Sequence, residues 1–363
     1  MTGSDAPAGV AEVDGITLQE LQLAARNHGM PLEGLRYDLT PIGLHYLLIH
    51  FDIPACDADT WTVEIRGRVR SPLMLTMGDL RARPAATHTV TLECAGNGRA
   101  RLQPRPISQP WLQEAVGTAA WTGTPLAPIL AEASLDDDAV ELVFEGADHG
   151  RQGDVEHDYE RSLTVAEATR PEVLLAYEVN GVPLPPQHGF PVRLLVPGWY
   201  GMTSVKWLRR VTAVTEPFEG FQQDAYRLRE REDDPGTPVT RIEPRALMIP
   251  PGFPEFLSRE RIVEAGRCRL EGRAWSGRAP IERVEVSTDG GSGWAPAHLG
   301  ELPGTFAWRG WTFDWDAQPG EFELLVRATD GTGAVQPVEQ PWNHHGLANN
   351  MAQRVPVTVR PAG

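Results

Sequence analysis

The sequence has few cysteines and no long apolar segment. Of its 363 residues, three are cysteines: Cys56, Cys94 and Cys268. Three thiols cannot all pair, and their wide spacing contains no CxxC motif, so we expect neither a disulfide framework nor a CxxC-type metal site. No run approaches the roughly 18 consecutive apolar residues that a membrane-spanning helix needs. A membrane-embedded protein is therefore not expected.

Nucleotide-binding motifs and an excess of positive charge are also missing. Neither GxGxxG nor GxxxxGK[ST] occurs, so the sequence gives no support for a nucleotide-binding fold. With 33 basic and 49 acidic residues, the chain carries a formal net charge of -16. A broadly acidic surface repels phosphate backbones, so we expect no nucleic-acid partner, although a small anion still binds where basic groups are locally concentrated.

The N-terminal stretch MTGSDAPAGVAEVDG contains no basic region followed by an apolar one, and no twin arginine. No export signal is visible in it. We therefore expect a cytoplasmic protein, or a periplasmic one if a leader has been removed.

The length of the chain indicates two domains, because one hydrophobic core rarely serves so many residues. The segment REREDDPGTP, residues 229–238, is charged, contains Pro and Gly, and lacks periodicity, which is typical of a linker. We predict an N-terminal extension over residues 1–35, a first domain over 36–235 and a second over 236–363.

Several secondary-structure elements are predicted from local pattern. Residues 15–28 carry apolar side chains at helical spacing with Thr17 as a cap, TWTVEIRGRV alternates as a strand does, and a brief helix begins near Thr76. From about Arg261 the chain has short strands at regular spacing, namely CRLEGRAW, IERVEVSTDGG, FAWRGWTFDW, EFELLVRATDG and QRVPVTVR. Such spacing predicts an antiparallel β-sandwich.

One cysteine lies in a setting that suits a reactive group. In VTLECAGNGR, residues 90–99, a β-branched apolar run leads into Cys94, and two glycines follow. Cys94 should lie where a strand ends and a loop begins, with space for a bulky partner to approach the backbone. The alternative is that Cys94 is a small buried hydrophobic residue.

Basic groups and histidines gather between residues 183 and 211. His188, Arg193 and Lys206 stand among Pro, Gly and large apolar residues, so they should project from an ordered scaffold and suit a phosphate clamp. The alternative is two rim charges and a hydrogen-bonded core histidine. His50, in HYLLIHFDIP, is a further candidate for the clamp or a structural residue.

The combination of segments resembles a known family. LECAGNGR, LLAYEVNGVPLPPQHGFPVRLLVPGWYGMTSVKWL, AWSG followed by IERVEVSTDGG, and WNHHGLANNMAQRVPV occur in an order and spacing similar to those of the sulfite oxidase family of molybdopterin enzymes. The likeness runs from about residue 36 to 359. It implies an α+β fold: a mixed α/β molybdopterin-binding catalytic domain over 36–235 and an immunoglobulin-like β-sandwich dimerisation domain over 236–363.

The resemblance also implies a cofactor and its ligands. Cys94 would be the thiolate ligand of the molybdenum in one molybdenum–molybdopterin per chain, and a soft thiolate suits a redox-active metal. The residues implied to hold the pterin and its phosphate are Tyr46, His50, Asp148, His188, Arg193, Ser204 and Lys206. The sequence has no CxxCH motif and no haem, flavin or ferredoxin-like module.

For the substrate, the resemblance implies Arg99 and Tyr226, and less closely Trp111 and Arg278, as catalytic residues. Where the family has a substrate-binding arginine two residues before the histidine, this chain has Leu48. Loss of one charge-assisted contact weakens anion binding by about 1.5–3 kcal/mol. The position of Leu48 therefore leaves the identity of the anion open.

The implied function is oxygen-atom transfer that oxidises sulfite or a related small sulfur oxyanion to sulfate. The implied partners are a second copy of the chain and an external electron-transfer protein or a diffusible acceptor. Two alternatives remain: the reverse reaction, as in a nitrate or sulfoxide reductase, and a non-catalytic oxyanion- or pterin-binding protein.

Overall fold

The computed structural model describes residues 15–363. Thr17 caps the first helix: its side chain accepts from the backbone of Glu20, and Glu20 accepts in return from Thr17. Thr76 caps the second helix in the same way. Both predicted helix starts are confirmed. The α-helices of the described residues are α1 (Leu18–Arg26), α2 (Met77–Arg81), α3 (Leu126–Ala133), α4 (Val165–Ala168) and α5 (Phe221–Ala225).

Short 3-10 helices connect several elements of the first domain. They cover Leu32–Arg36, Ile42–Leu44, Arg99–Arg101, Pro186–His188 and Gly201–Thr203. The strands before residue 240 are β1 (Thr62–Gly67), β2 (Leu73–Thr76), β3 (Ala86–Glu93), β4 (Val116–Pro125), β5 (Glu141–Gln152), β6 (Val155–Thr164), β7 (Leu174–Val179), β8 (Val182–Pro183), β9 (Arg193–Leu195), β10 (Leu208–Val214), β11 (Arg227–Leu228) and β12 (Thr237–Pro238).

Two sheets build the first domain. One has the strand order β2-β1-β10-β5-β6, and β1 pairs with β10 in parallel while its other pairs are antiparallel. The other has the order β3-β4-β7-β8, with β9 on β7. The first sheet packs with α2 and α3 over a core that includes Val63, Leu130 and Phe144. The second sheet packs over a core that includes Val90, Leu92 and Leu195, so the ends of β3 and β9 are held by well-packed strands.

The second domain is a pair of sheets. Its strands are β13 (Arg245–Met248), β14 (Phe253–Pro254), β15 (Arg261–Glu264), β16 (Gly266–Trp275), β17 (Ile281–Ser287), β18 (Ala295–Pro296), β19 (His298–Leu299), β20 (Arg309–Ala317), β21 (Gly320–Asp330) and β22 (Gln353–Arg360). The sheet orders are β13-β16-β20-β19 and β14-β15-β22-β21-β17-β18. Each predicted strand of this half is present, because inward apolar side chains such as Leu270, Val284 and Val357 alternate with outward polar ones.

Two expectations need correction. The sandwich is not wholly antiparallel, because β15 and β22 pair in parallel, Arg261 opposite Val357. Residues 229–238 are not an open linker either. β11 and β12 close this segment as a hairpin, and Arg229 is buried and bonded to Asp224 and Asp234. Arg229 and Asp234, two of the charged residues that suggested a linker, belong to this local network.

All three cysteines are free, as expected from their number and spacing. Within the described residues, no helix is both long enough and apolar enough to cross a membrane. The expectation about an export signal concerns residues that lie largely outside the described part of the chain.

Candidate functional site

Cys94 lies immediately after β3, at the predicted strand end, and 7 % of its surface is exposed. Its N–H donates to the carbonyl of Ala115 at 2.9 Å, and its carbonyl accepts from Asn97 at 3.0 Å. The Asn97 side chain accepts from the backbone of Ala115 at 3.1 Å and donates to Glu93 at 3.0 Å. This turn therefore holds the thiol on a fixed scaffold.

Glu93 anchors the Cys94 turn to the second domain. Its carboxylate is fully buried, lies 2.8 Å from the guanidinium of Arg245 on β13, and accepts from the Trp275 indole at 2.7 Å. Asn349, further along the second domain, donates to the carbonyl of Gly98 at 2.7 Å. A buried carboxylate is stable only when it is paired and hydrogen-bonded, and here both domains supply the partners.

A narrow slot opens on one side of Cys94. Its lining contains every residue that the resemblance assigned to the cofactor, together with Cys94 and Tyr226: Tyr46, His50, Asp148, His188, Arg193, Ser204 and Lys206. The Tyr46 hydroxyl packs so closely on Gly201 that a Cβ there would lie 2.2 Å from it. The structure brings these side chains together; their roles stay predictions.

Arg193 is the buried cation of the slot. It donates to the carbonyls of His188 at 3.1 Å and Ser204 at 2.8 Å, and it lies over the Trp121 ring. Its Nε has no hydrogen-bond partner among the described residues. Burial lowers the pKa of Arg193 to about 10 and that of His188 to about 2. The imidazole is therefore neutral at physiological pH beside a guanidinium that is still charged.

Lys206 and Asp148 form the polar end of the slot. Lys206 donates to the carbonyls of Leu48 at 2.7 Å and Gln187 at 3.1 Å. One carboxylate oxygen of Asp148 is buried without a partner among residues 15–363. Burial raises the pKa of Asp148, against the opposing effect of Lys206, and burial lowers the pKa of Lys206. The free oxygen is suited to accept a hydrogen bond from a ligand.

A wider cleft opens on the other side of Cys94, with a volume of about 600 Å³. Arg99 and Trp111 line this cleft, while Cys94, His50, Leu48 and Tyr226 line both spaces. Cys94 thus stands at the junction between the slot and the cleft.

Arg99 is held at the cleft by two glycines. Its guanidinium lies against Gly96, and its stem lies against Gly346, whose φ is +59°; a Cβ at either glycine would approach it to less than 3 Å. Its Nε donates to the carbonyl of His345 at 2.7 Å and its Nη1 to that of Gln109 at 3.3 Å. No carboxylate of the described chain forms an ion pair with this side chain. Arg99 therefore presents an uncompensated positive charge.

Two aromatic groups, Trp111 and Tyr226, complete the junction. The Trp111 indole packs in the Cys94 cluster, and its Nε1 is buried without a hydrogen-bond partner among the described residues. Burial raises the pKa of Tyr226 to about 12, with Arg99 and Arg161 opposing the rise, and the Arg161 guanidinium lies 5.5 Å from the Tyr226 ring centroid. Burial likewise raises the pKa of the Cys94 thiol, and Arg99 opposes it.

Arg278 does not reach the site. Its side chain forms an ion pair with Glu243, is 42 % exposed, and lines neither the slot nor the cleft. The Glu243 carboxylate also raises the pKa of Arg278. Its expected place near the substrate is therefore corrected: the turn after β16 directs this arginine to an acidic neighbour in its own domain.

Sequence reasoning missed several polar residues of the cleft. His344 and His345 line it beside Arg99, and Gln152 and Gln222 lie 3.1 Å and 2.9 Å from Nε2 of His50. Burial lowers the pKa of His345 to about 4, with His344 and Arg99 adding to the effect. A histidine doublet between Asn343 and Gly346 was a usable signal, because histidine side chains often serve in catalysis and binding.

Comparisons with known proteins agree with this architecture. Residues 50–222 match a family model described as "Oxidoreductase molybdopterin binding domain", and residues 245–360 match one described as "Mo-co oxidoreductase dimerisation domain". The chain is 36 % identical to mitochondrial sulfite oxidase of Mus musculus, over 89 % of the chain and 62 % of that protein. It is 35 % identical to sulfite oxidase of Gallus gallus, over 87 % of the chain and 72 % of that protein.

A solved structure supports the same fold. The sulfane dehydrogenase SoxCD from Paracoccus pantotrophus aligns with a TM-score of 0.81 at 25 % identity, covering 99 % of this chain and 96 % of that one. The two-domain fold and the thiol-centred site agree with a molybdopterin-binding domain followed by a Mo-co dimerisation domain. The chain belongs to the sulfite oxidase family, and it spans 62 % of the length of the mouse relative.

The residues present fit the family's molybdenum–molybdopterin cofactor. The slot contains polar atoms without partners in the described chain, on Asp148, Arg193 and His45, which suit the ring N–H groups, ring nitrogens and phosphate of a pterin. No cluster of three or more His, Cys, Asp or Glu side chains within residues 15–363 forms a metal site of its own.

Proposed function

We propose that this chain catalyses two-electron oxygen-atom transfer to sulfite or a related small sulfur oxyanion and passes the electrons to an external acceptor. The observation that carries the proposal is the position of Cys94, at the junction between a slot of unpartnered polar groups and a cleft with one uncompensated arginine. For sulfite the balanced reaction joins SO₃²⁻ and H₂O to give SO₄²⁻, two protons and two electrons.

The protein contributes position, charge and exclusion of water. His188, Arg193 and Lys206 would hold the cofactor from the slot, and Cys94 would bind its metal; when bound, the cofactor supplies the redox and oxygen-transfer chemistry. Arg99 binds the oxygen atoms of the anion, because a planar guanidinium fork matches pairs of oxygens. Trp111 covers Cys94, so the reacting end of the cleft is shielded from bulk water.

Metal content and turnover test this proposal on one sample. Protein from a host that makes the cofactor should contain near one molybdenum per chain and reduce ferricyanide when sulfite is added. Cys94→Ser should abolish turnover, since the metal loses its protein ligand. Cys56→Ser is the matched control and should keep full activity, because Cys56 lies outside both spaces.

Two results would contradict the proposal. A fully active Cys94→Ser protein would overturn the assigned ligand. A molybdenum-loaded protein that ignores sulfur anions, but reoxidises a reduced viologen when nitrate or a sulfoxide is added, would establish the reverse reaction. The reverse reaction is a second candidate because Leu48 lines the cleft where the family has a substrate-binding arginine.

We also propose that the protein acts as a homodimer through its second domain. The family model matched by residues 245–360 is described as a dimerisation domain. In that domain the loop between β14 and β15 exposes two adjacent large apolar side chains, Phe256 to 81 % and Leu257 to 84 %, which a contact between copies would cover. Light scattering should give twice the chain mass, and Phe256→Asp should lower it if this loop is part of the contact.

A further inference from the structure

The inner end of the cleft carries little positive charge. Arg99 is 8 % exposed and has no acidic partner among the described residues. Arg151 also lines the cleft, but at its exposed outer part, where it pairs with Asp154 at 2.8 Å. His345 has its pKa lowered to about 4 and is neutral at pH 7. A singly charged anion therefore matches this end of the cleft better than a doubly charged one.

An apolar wall leads from this end to the protein surface. Its members come from separate segments and all line the cleft: Leu23, Leu48, Ile49, Phe51, Pro106, Ile107, Ala225 and Leu347. A volume of about 600 Å³ falls within the roughly 300–1,000 Å³ of sites for larger organic ligands. Sulfite has four non-hydrogen atoms, so it would leave most of the cleft and the whole wall without a contact.

The outer wall is a fixed part of the fold. Helix α1, which carries Leu23, is tied to the loop of Ile107 by an ion pair between Glu20 and Arg105. The Asn27 side chain at the end of α1 accepts from the backbone of Ile49 at 2.6 Å and donates to Gln109 at 3.2 Å. The apolar groups are therefore positioned in advance, as a binding surface requires.

We propose that the substrate class is an organic sulfinate, R–SO₂⁻, with an apolar R group of several carbons. The proposal rests on the function proposed above and narrows its substrate. Arg99 binds the sulfinate oxygens, the R group lies along the wall towards Leu23 and Ile107, and the sulfur lone pair faces the Cys94 end of the cleft.

The reaction balances in atoms and electrons. R–SO₂⁻ and H₂O give R–SO₃⁻, two protons and two electrons: one S–O bond forms, the C–S bond stays intact, and water is the source of the oxygen. The protons go to solvent and the electrons to the external acceptor, for which two ferricyanide ions serve in the assay.

Substrate series on the molybdenum-loaded protein test the proposal. We expect kcat/KM for propanesulfinate to exceed that for methanesulfinate by roughly tenfold, since each buried methylene contributes about three- to fourfold. Calorimetry provides a readout without turnover: hexanesulfonate should bind more tightly than methanesulfonate. If neither kcat/KM nor the binding affinity rises with the length of the R group, the proposal is overturned.

Variants locate the R group. Ile107→Ser and Leu23→Ser should each lower the ratio of kcat/KM for hexanesulfinate to that for methanesulfinate, because a six-carbon group extends further towards these outer residues. Leu302→Ser removes an apolar side chain of similar exposure, 42 % against 47 % for Ile107, that does not line the cleft, and should leave the ratio unchanged. Leu48→Arg adds a second cation and should shift preference towards sulfite by about tenfold or more. An unchanged preference in Leu48→Arg contradicts the charge argument.

The two proposals fail in different ways. A loaded enzyme that oxidises sulfite rapidly and shows no gain with sulfinate chain length keeps the proposed function and overturns the sulfinate class. A loaded enzyme that oxidises neither sulfite nor any sulfinate overturns the proposed function, and the sulfinate class with it.

Discussion

The slot and the cleft meet at Cys94 but have opposite characters. The slot is lined by cations, imidazoles and a carboxylate, and several of its buried polar atoms lack partners in the described chain. The cleft has one buried cation, Arg99, and an apolar wall. Unpartnered buried polar groups are costly unless a ligand satisfies them. The slot is therefore built for a resident polar group, and the cleft for a molecule that comes and goes.

The largest expected effect is on the free energy of unfolding, and it concerns the ion pair that holds the Cys94 turn between the slot and the cleft. Arg245→Met removes the partner of the buried Glu93 carboxylate and should lower the free energy of unfolding by about 3–5 kcal/mol. Urea denaturation would measure it. Arg267→Met, which breaks an exposed pair with Asp314, is the control and should change stability by less than about 1 kcal/mol. Equal effects for the two variants would show that Glu93 does not anchor the junction.

A change in the slot should alter cofactor content. Arg193→Met removes a buried cation while keeping much of its apolar stem. We expect the affinity for the molybdenum cofactor to fall about ten- to a hundredfold, so that less cofactor is retained after dialysis. Elemental analysis and phosphate content measure the loss. Retention equal to that of the unmodified protein would contradict the assignment of Arg193 to the cofactor.

The matching change in the cleft should leave the cofactor in place. Arg99→Met should lower kcat/KM for the sulfur anion by about ten- to a hundredfold, because a charge-assisted contact is lost. Molybdenum content should stay near one per chain. If Arg99→Met lost the metal and Arg193→Met did not, the assignment of the slot to the cofactor and of the cleft to the substrate would be wrong.

The smallest effect concerns the rim of the cleft. Thr17→Ala removes the capping box of α1 and should lower the free energy of unfolding by about 0.5–2 kcal/mol. Because α1 contributes Leu23 to the apolar wall, the variant should also weaken binding of a long-chain sulfonate more than that of a short one. Thr164→Ala, at the cap of α4, is a matched control for stability and should leave the chain-length dependence intact.

The parts of the molecule that depend on local pattern were predictable from sequence. Thr17 and Thr76 cap helices because the side chain and its acceptor are three residues apart, and Cys94 follows a β-branched run that ends at glycines. The regular spacing of β16, β17, β20, β21 and β22 likewise predicted the β-sandwich. In each example the determining contacts are close in the sequence or repeat with a fixed period.

Contacts between distant segments were not predictable. Nothing near Glu93 in the sequence indicates that Arg245 and Trp275 hold its carboxylate. The parallel pairing of β15 with β22 and the ion pair that diverts Arg278 to Glu243 depend on the register of the finished sandwich. For the same reason the position of His345 in the cleft lining was not predicted, although the doublet that it forms with His344 is visible in the sequence.

The partners of Glu93 also bear on how the protein is made. Cys94 leaves the ribosome long before Arg245 and Trp275, which fix the residue beside it. Until the second domain has been synthesised and folded, Glu93 has no buried cation to pair with, and the turn that carries the thiol lacks its anchor. We expect the nascent chain to be unable to retain its metal until translation is almost finished, so that insertion is a late event and an incomplete chain stays empty.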